Sequence, residues 1–95
     1  MAGYIVAQVN IEDPEQYGEY KKLVPATVEA HGGRFLARGG NTEVLEGVWN
    51  DGRFVIIEFD NVDQAKAWWS SEAYQPAKKI RQKAAKTNML VVDGV

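Results

Sequence analysis

The sequence predicts an α+β fold assembled in the order strand, helix, strand, strand, helix, strand. Three observations carry that prediction. Apolar residues alternate with period two in four short stretches, and two longer stretches between them repeat at helical spacing. Turn and cap residues mark nearly every boundary. The densest such boundary is His31-Gly32-Gly33-Arg34-Phe35-Leu36-Ala37-Arg38-Gly39-Gly40. It holds the single histidine, two arginines and four of the nine glycines of the chain.

The first strand covers residues 4–11, where Ile5, Ala7, Val9 and Ile11 alternate with Tyr4, Val6, Gln8 and Asn10. Its second face is only partly polar, so both faces are expected to be covered. Asp13-Pro14-Glu15-Gln16 then opens a helix: Asp13 caps, Pro14 suits the first helical position and Gln16 completes a capping box. The helix is expected to run to about His31, with Tyr17, Tyr20, Val24 and Val28 on its buried stripe, a kink at Pro25, and Gly32 as the left-handed residue that ends it.

A second strand starts near Arg34, breaks at Gly39-Gly40 in a bulge or bend, and is expected to resume from Val44 to Trp49. Asn50-Asp51-Gly52 reads as a hairpin turn into a third strand, Arg53 to Asp60. Asn61-Val62-Asp63-Gln64 opens the next helix, with Val62, Ala65, Trp68 and Trp69 on its buried flank. The helical pattern restarts after Ser70-Ser71-Glu72 and continues through Tyr74, Ala77, Arg81 and Ala84, with Pro76 tolerated in the first turn. Asn88 to Asp93 closes the chain as a strand.

This order is a split βαβ, or ferredoxin-like, arrangement: a four-stranded antiparallel sheet with both helices on one face. The other face carries Val6, Leu36, Phe54 and Ile56 among others, too much apolar surface for water. A second copy packed face to face would cover it, giving a homodimer with a barrel-like interior.

Bulk properties bound the function. Ninety-five residues make one domain with a modest core. Ten aromatic residues exceed what that core needs, so some are expected to meet a partner chain or line a pocket. A net charge of −2 argues against nucleic-acid binding, and the basic residues Lys78, Lys79, Arg81, Lys83 and Lys86 read as a solvated helix face. There is no cysteine, no basic-plus-apolar leader at the N-terminus and no stretch of membrane-span length, which makes the cytoplasm the expected location. No Gly-x-Gly-x-x-Gly, Walker or Gly-x-Ser-x-Gly pattern occurs, and one histidine cannot build a multi-histidine centre. No cofactor and no metal are therefore expected.

The candidate site gathers on the sheet. Gln8, Arg38 and Glu58 fall on neighbouring strands, and period-two alternation is expected to bring all three to the face away from the helices. Arg38 and Glu58 either neutralise one another and fix register, or orient a small anionic or carbonyl-bearing ligand with Arg38 as the forked donor. His31 either caps the first helix or serves as a general base. Trp68 and Trp69 point about 100° apart on their helix. One enters the core and the other, with Tyr74, is expected to wall a pocket.

These residues also carry a resemblance. Asp13-Pro14-Glu15, Tyr17, Tyr20, the whole of 31–40, Leu45-Glu46-Gly47, Arg53, Ile57-Glu58-Phe59, Ala67-Trp68-Trp69-Ser70-Ser71, Tyr74 and Arg81 together resemble the DUF1330 family, related in architecture to dimeric α+β barrel proteins. Trp69 stands where the family pattern carries a tyrosine. The resemblance implies the fold and dimerisation and no particular reaction. Three functional readings follow: a homodimer binding a small organic molecule in a sheet-lined cavity, with Arg38, Glu58, His31 and Gln8 as polar anchors and Trp68, Trp69 and Tyr74 as walls; a cofactor-free oxygenase- or isomerase-like enzyme with His31 or Glu58 as base; and a purely structural or regulatory dimer.

Overall fold

Period-two alternation and helical stripes fold as the sequence dictates. The structure, a computed structural model, describes residues 1–49 and 52–95. Strands β1 (Gly3–Ile11), β2 (Arg34–Arg38), β3 (Arg53–Phe59) and β4 (Ala85–Asp93) form one antiparallel sheet in the order β2-β3-β1-β4. Helices α1 (Pro14–Ala30), α2 (Val62–Ser70) and α3 (Gln75–Ala84) pack on one face of it. This is the ferredoxin-like α+β arrangement.

Local chemistry sets the boundaries. The Asp13 side chain accepts from the Gln16 amide, and Asn61 does the same for Gln64, so both caps form; the expected capping box does not close, because the Asp13 N–H donates to Ala84 O at 2.9 Å. Helix α1 continues through Pro25 and closes in a Schellman motif: Gly33 N–H donates to Val28 O and Gly32 N–H to Glu29 O, with Gly32 at φ +72°. Ser71 Oγ donates to Trp68 O and accepts from the Tyr74 amide, turning the chain from α2 into α3. Strand β4 begins at Ala85, three residues before the expected Asn88, because the last turn of α3 passes straight into extended backbone.

Two segments differ from expectation. No strand forms over Val44 to Trp49; residues 40–49 are irregular, and Leu45 and Val48 are almost fully exposed. The free edges of the sheet, on β2 and β4, are not taken up by that segment, which leaves the sheet after the Gly39 turn. The Asn50-Asp51-Gly52 turn falls on Asn50 and Asp51, which lie outside the described residues.

The core lies between the helices and the sheet. Ile5, Ala7, Val9, Val55, Ile57 and Phe59 face Tyr17, Tyr20, Val24, Val28, Trp68 and Tyr74. Trp68 is fully buried against Phe59 and Tyr74, with its indole N–H donating to Thr27 Oγ1 at 3.0 Å. The opposite face has no such cover. Tyr4, Val6, Phe54 and Ile56 remain half-buried there, while Leu90 and Val92 are exposed. The accessible surface is 6301 Å², where a compact monomer of this mass would expose about 5,500 Å².

Candidate functional site

A β-bulge decides where the predicted site residues go. In β2, Phe35 pairs with Ile57 but Ala37 with Ile56, so the register slips at Leu36. Without the slip, Arg34 and Arg38 would share a face. With it, Arg34 stays on the open face and Arg38 turns to the helix side, opposite the core residue Val55. The expected Arg38–Glu58 pair therefore does not form. Glu58 pairs with Arg34 instead, and Arg38 donates to Lys21 O at 2.8 Å while stacking over the Phe35 ring.

The remaining anchors also part company. Gln8 and Glu58 do share the open face, but Glu58 stands opposite Tyr4, which puts the two about 13 Å apart along the strands. The hydrogen bond that Tyr4 offers the Glu58 carboxylate raises the Tyr4 pKa. His31 sits at the C-cap of α1 with Nδ1 2.9 Å from Thr27 O. A carbonyl only accepts, so Nδ1 carries the proton there. Trp68 and Tyr74 are brought together, ring centroids 4.1 Å apart, as buried core rather than as pocket walls. Trp69, expected on the buried flank, is exposed and carries Lys78 over its ring at 3.7 Å.

Sequence reasoning missed the cluster that the helix side builds. Arg81, read as part of a solvated basic face, is only 6% exposed. Its Nε donates to Tyr74 OH at 3.3 Å, and Tyr74 OH lies 2.8 Å from Tyr20 OH. Tyr17 packs beside Tyr20 at 5.3 Å between centroids. Burial pushes the Tyr20 phenol far above its ordinary pKa, with Tyr74 adding to the effect and Arg81 opposing it; burial likewise raises Tyr17, against the pull of Arg53. The signal was present: Tyr74, Ala77, Arg81 and Ala84 form one helical stripe, and a charged residue on an apolar stripe is a buried charge.

The donor count in this cluster is unbalanced. Each phenol has one proton to donate. If Tyr74 donates to Tyr20 while accepting from Arg81, the Tyr20 proton meets no side-chain or backbone acceptor among the described residues; if Tyr20 donates to Tyr74, the same holds for the Tyr74 proton. Among the described residues, no carboxylate lies within ion-pair distance of Arg81; the two ion pairs are Lys22–Glu19 and Arg34–Glu58.

Two separate spaces border Arg81. An internal cavity of about 20 Å³, room for one water, lies between Tyr17, Tyr20, Trp68 and the sheet. An outer groove of about 350 Å³ runs between α2, α3 and β4, lined by Lys66, Trp69, Arg81, Gln82, Thr87 and Met89 among others. Thr87 Oγ1 is buried at this groove with no hydrogen-bond partner. A third hollow, about 470 Å³, lies on the open face between residues 42–49 and the side chains of Gln8 and Phe54. Among the described residues, no three His, Cys, Asp or Glu side chains group as a metal site, and no helix is long and apolar enough to cross a membrane.

Comparison with known proteins fits this architecture. The family model described as "Domain of unknown function (DUF1330)" matches residues 2–95. No curated protein matches. Among solved structures, the chain is similar to the RPA0582 protein of unknown function from Rhodopseudomonas palustris, with 19% identity, a TM-score of 0.77 and coverage of 99% of this chain and 82% of that one. It is similar to SnoaB, a cofactor-independent oxygenase from Streptomyces nogalater, at 11% identity and a TM-score of 0.68, covering 99% and 93% of the two chains. A dimeric protein of unknown function and ferredoxin-like fold from Bacteroides fragilis NCTC 9343 aligns at 16% identity and a TM-score of 0.60, over 98% and 96%. At these identities the likeness is one of fold.

Proposed function

This chain belongs to the DUF1330 family, and from that premise we propose that it is a homodimeric small-molecule-binding protein whose ligand is an organic anion held at Arg81. The buried Arg81–Tyr74–Tyr20 chain, which among the described residues has one phenolic proton without a protein acceptor and no carboxylate in reach of Arg81, carries the reading. An isolated buried cation is costly. A ligand carboxylate in the β4 groove would pair with the guanidinium and give the spare donor its acceptor. The groove falls within the usual size range for small-ligand sites. Thr87 Oγ1 supplies a further polar contact at its floor, and Trp69 an aromatic rim for an apolar ligand body. The ligand site of this reading is inside each subunit rather than between the sheets.

Dimerisation through the open sheet face has separate support. The subunit is a slab of 34 × 31 × 16 Å, and a face of that size exceeds the roughly 800 Å² per partner of a standard interface. Its centre is apolar, at Val6, Ile56 and Leu90. The structurally similar Bacteroides fragilis protein is dimeric. The absence of cysteine is consistent with a cytoplasmic protein.

The enzyme reading that used His31 or Glu58 as base draws less support from the geometry. Glu58 is engaged by Arg34, and the His31 ring faces its own helix end.

The test is calorimetric titration with benzoate and with its neutral counterpart benzamide. Benzoate is expected to bind and benzamide to bind at least tenfold more weakly. Arg81→Gln is expected to abolish benzoate binding and Arg81→Lys to weaken it. Equal binding of acid and amide, or benzoate affinity untouched in both variants, overturns the reading.

A further inference from the structure

The bulge that separates Arg38 from Glu58 has a second result: it builds a cationic groove on the other side of the subunit. Arg53, the first residue of β3, pairs with Val9 and so also lies on the helix side. Arg38 and Arg53 then stand together at the end of the sheet, facing Lys21 and Lys22 on α1. Gly18, one turn earlier, has open space where a side chain would stand, which keeps the groove clear. The groove measures about 530 Å³ and is lined by Gly18, Lys21, Lys22, Arg38 and Arg53.

The two guanidiniums are positioned, and among the described residues neither has a carboxylate partner. Arg38 is fixed by Lys21 O and by the Phe35 ring. Arg53 reaches toward Arg38 O at 3.4 Å and lies 5.7 Å from the Tyr17 ring centre. Arg53 Nε is buried with no partner. Gly39 makes this packing possible: it sits at φ +74°, and a Cβ there would run into the Arg53 guanidinium. Carbonyls and rings orient a guanidinium, but they leave its charge unpaired. The contrast with Arg34, on the opposite face of the same strand, is direct, because Arg34 finds Glu58. The chain has thirteen acidic residues against eleven basic ones, so the cluster is not a by-product of a basic surface. Among the described residues, Lys22 alone of the four has a carboxylate partner, Glu19 at 3.3 Å, and that pair is exposed.

We propose that this groove binds a phosphate group, with Arg38 and Arg53 as the forked donors and Lys21 as a third positive charge. A single carboxylate is satisfied by one fork. A phosphate offers three terminal oxygens and close to two negative charges at neutral pH, which matches two adjacent forks and a flanking ammonium. The site is distinct from the Arg81 groove, and the proposal stands independently of the ligand read there.

Inorganic phosphate and phenyl phosphate serve as probes, titrated calorimetrically into the full chain at low and at physiological ionic strength. Saturable binding is expected. Arg38→Gln and Arg53→Gln should each weaken it at least tenfold, and Lys21→Gln should weaken it severalfold. Lys79→Gln, an exposed charge on α3, should leave it within twofold of the parent. If Arg53→Gln does not fold, Arg38→Gln and Lys21→Gln carry the test. Equal affinity for both probes supports a free-phosphate site; tenfold tighter binding of the ester supports a phosphorylated small molecule. The proposal is overturned if neither probe binds saturably. It is overturned equally if Lys79→Gln weakens binding as much as Arg38→Gln, the signature of a diffuse field.

Discussion

The two faces of one sheet obey different rules in this protein. On the helix side, Ile5, Ala7 and Val9 of β1 are buried to a few per cent, and the phenols of Tyr20 and Tyr74 and the Trp68 indole N–H are drawn into hydrogen bonds. On the open side, Tyr4, Val6 and Gln8 from the same strand are only half-buried, although Val6 is as apolar as its neighbours. Period-two alternation alone does not produce that difference. Both sets of side chains are compatible with burial, and only one set has helices to bury it. One face is a finished core, and the other leaves its apolar side chains uncovered within the subunit.

The sharpest way to test that contrast is to remove mass from the finished side. Trp68→Ala deletes a fully buried indole, its contacts with Phe59 and Tyr74, and its hydrogen bond to Thr27. A loss of about 3–5 kcal/mol is expected in urea unfolding, a large part of the stability of a small domain. A loss below about 1 kcal/mol would mean that the helix side repacks freely and is no better ordered than the open one.

The open side should respond to charge in a different observable. Val6 lies at its centre, paired with Ile56 and Leu90. Val6→Asp places an unpaired carboxylate there, and the dimer dissociation constant is expected to rise at least about a hundredfold, roughly 3 kcal/mol. Sedimentation equilibrium reads this directly. A parent protein that is monomeric at micromolar concentration, or a Val6→Asp variant that dimerises as well as the parent, would remove the partner from the picture.

The same contrast explains what could be read in the sequence and what could not. Asp13, Asn61, Gly32 and the Tyr17–Tyr20–Val24–Val28 stripe act through local geometry, so the helices and their ends were legible from residue type and spacing. The Arg38–Glu58 pairing was not, because one extra residue at Leu36 reverses every side chain after it, and no residue type in Phe35-Leu36-Ala37 announces a bulge. The glycine pair at 39–40 drew the expectation of a bulge three residues too late. Residues 44–49 alternate well enough to suggest a strand, yet alternation alone does not carry a segment to a sheet edge, and the free edges of β2 and β4 stay unpaired by it. Arg81 was misplaced for another reason. Grouped with its lysine neighbours it looks solvated, whereas its spacing from Tyr74 and Ala84 puts it inside. The helical stripe was the better guide than the run of charge.

The smallest effect compares one phenol from each face. Burial, with Tyr74 next to it, holds Tyr20 neutral well past its ordinary pKa of about 10. Its folded pKa is therefore above its unfolded one. The stabilisation is complete below about pH 10, and above that the unfolded chain gives up the proton first, so stability falls as pH rises. Tyr20 contributes up to about 1.4 kcal/mol per pH unit to that slope. Tyr20→Phe should flatten the alkaline decline of unfolding free energy relative to the parent, and added salt should change this little because burial is the cause. Tyr4 is also raised, but chiefly by its hydrogen bond to Glu58 at the exposed end of the sheet. Its share, read from Tyr4→Phe, should be smaller and should shrink in high salt. Equal salt sensitivity at the two positions would mean that the helix-side cluster is as open to water as the uncovered face, and the division between the faces would fail at its polar groups.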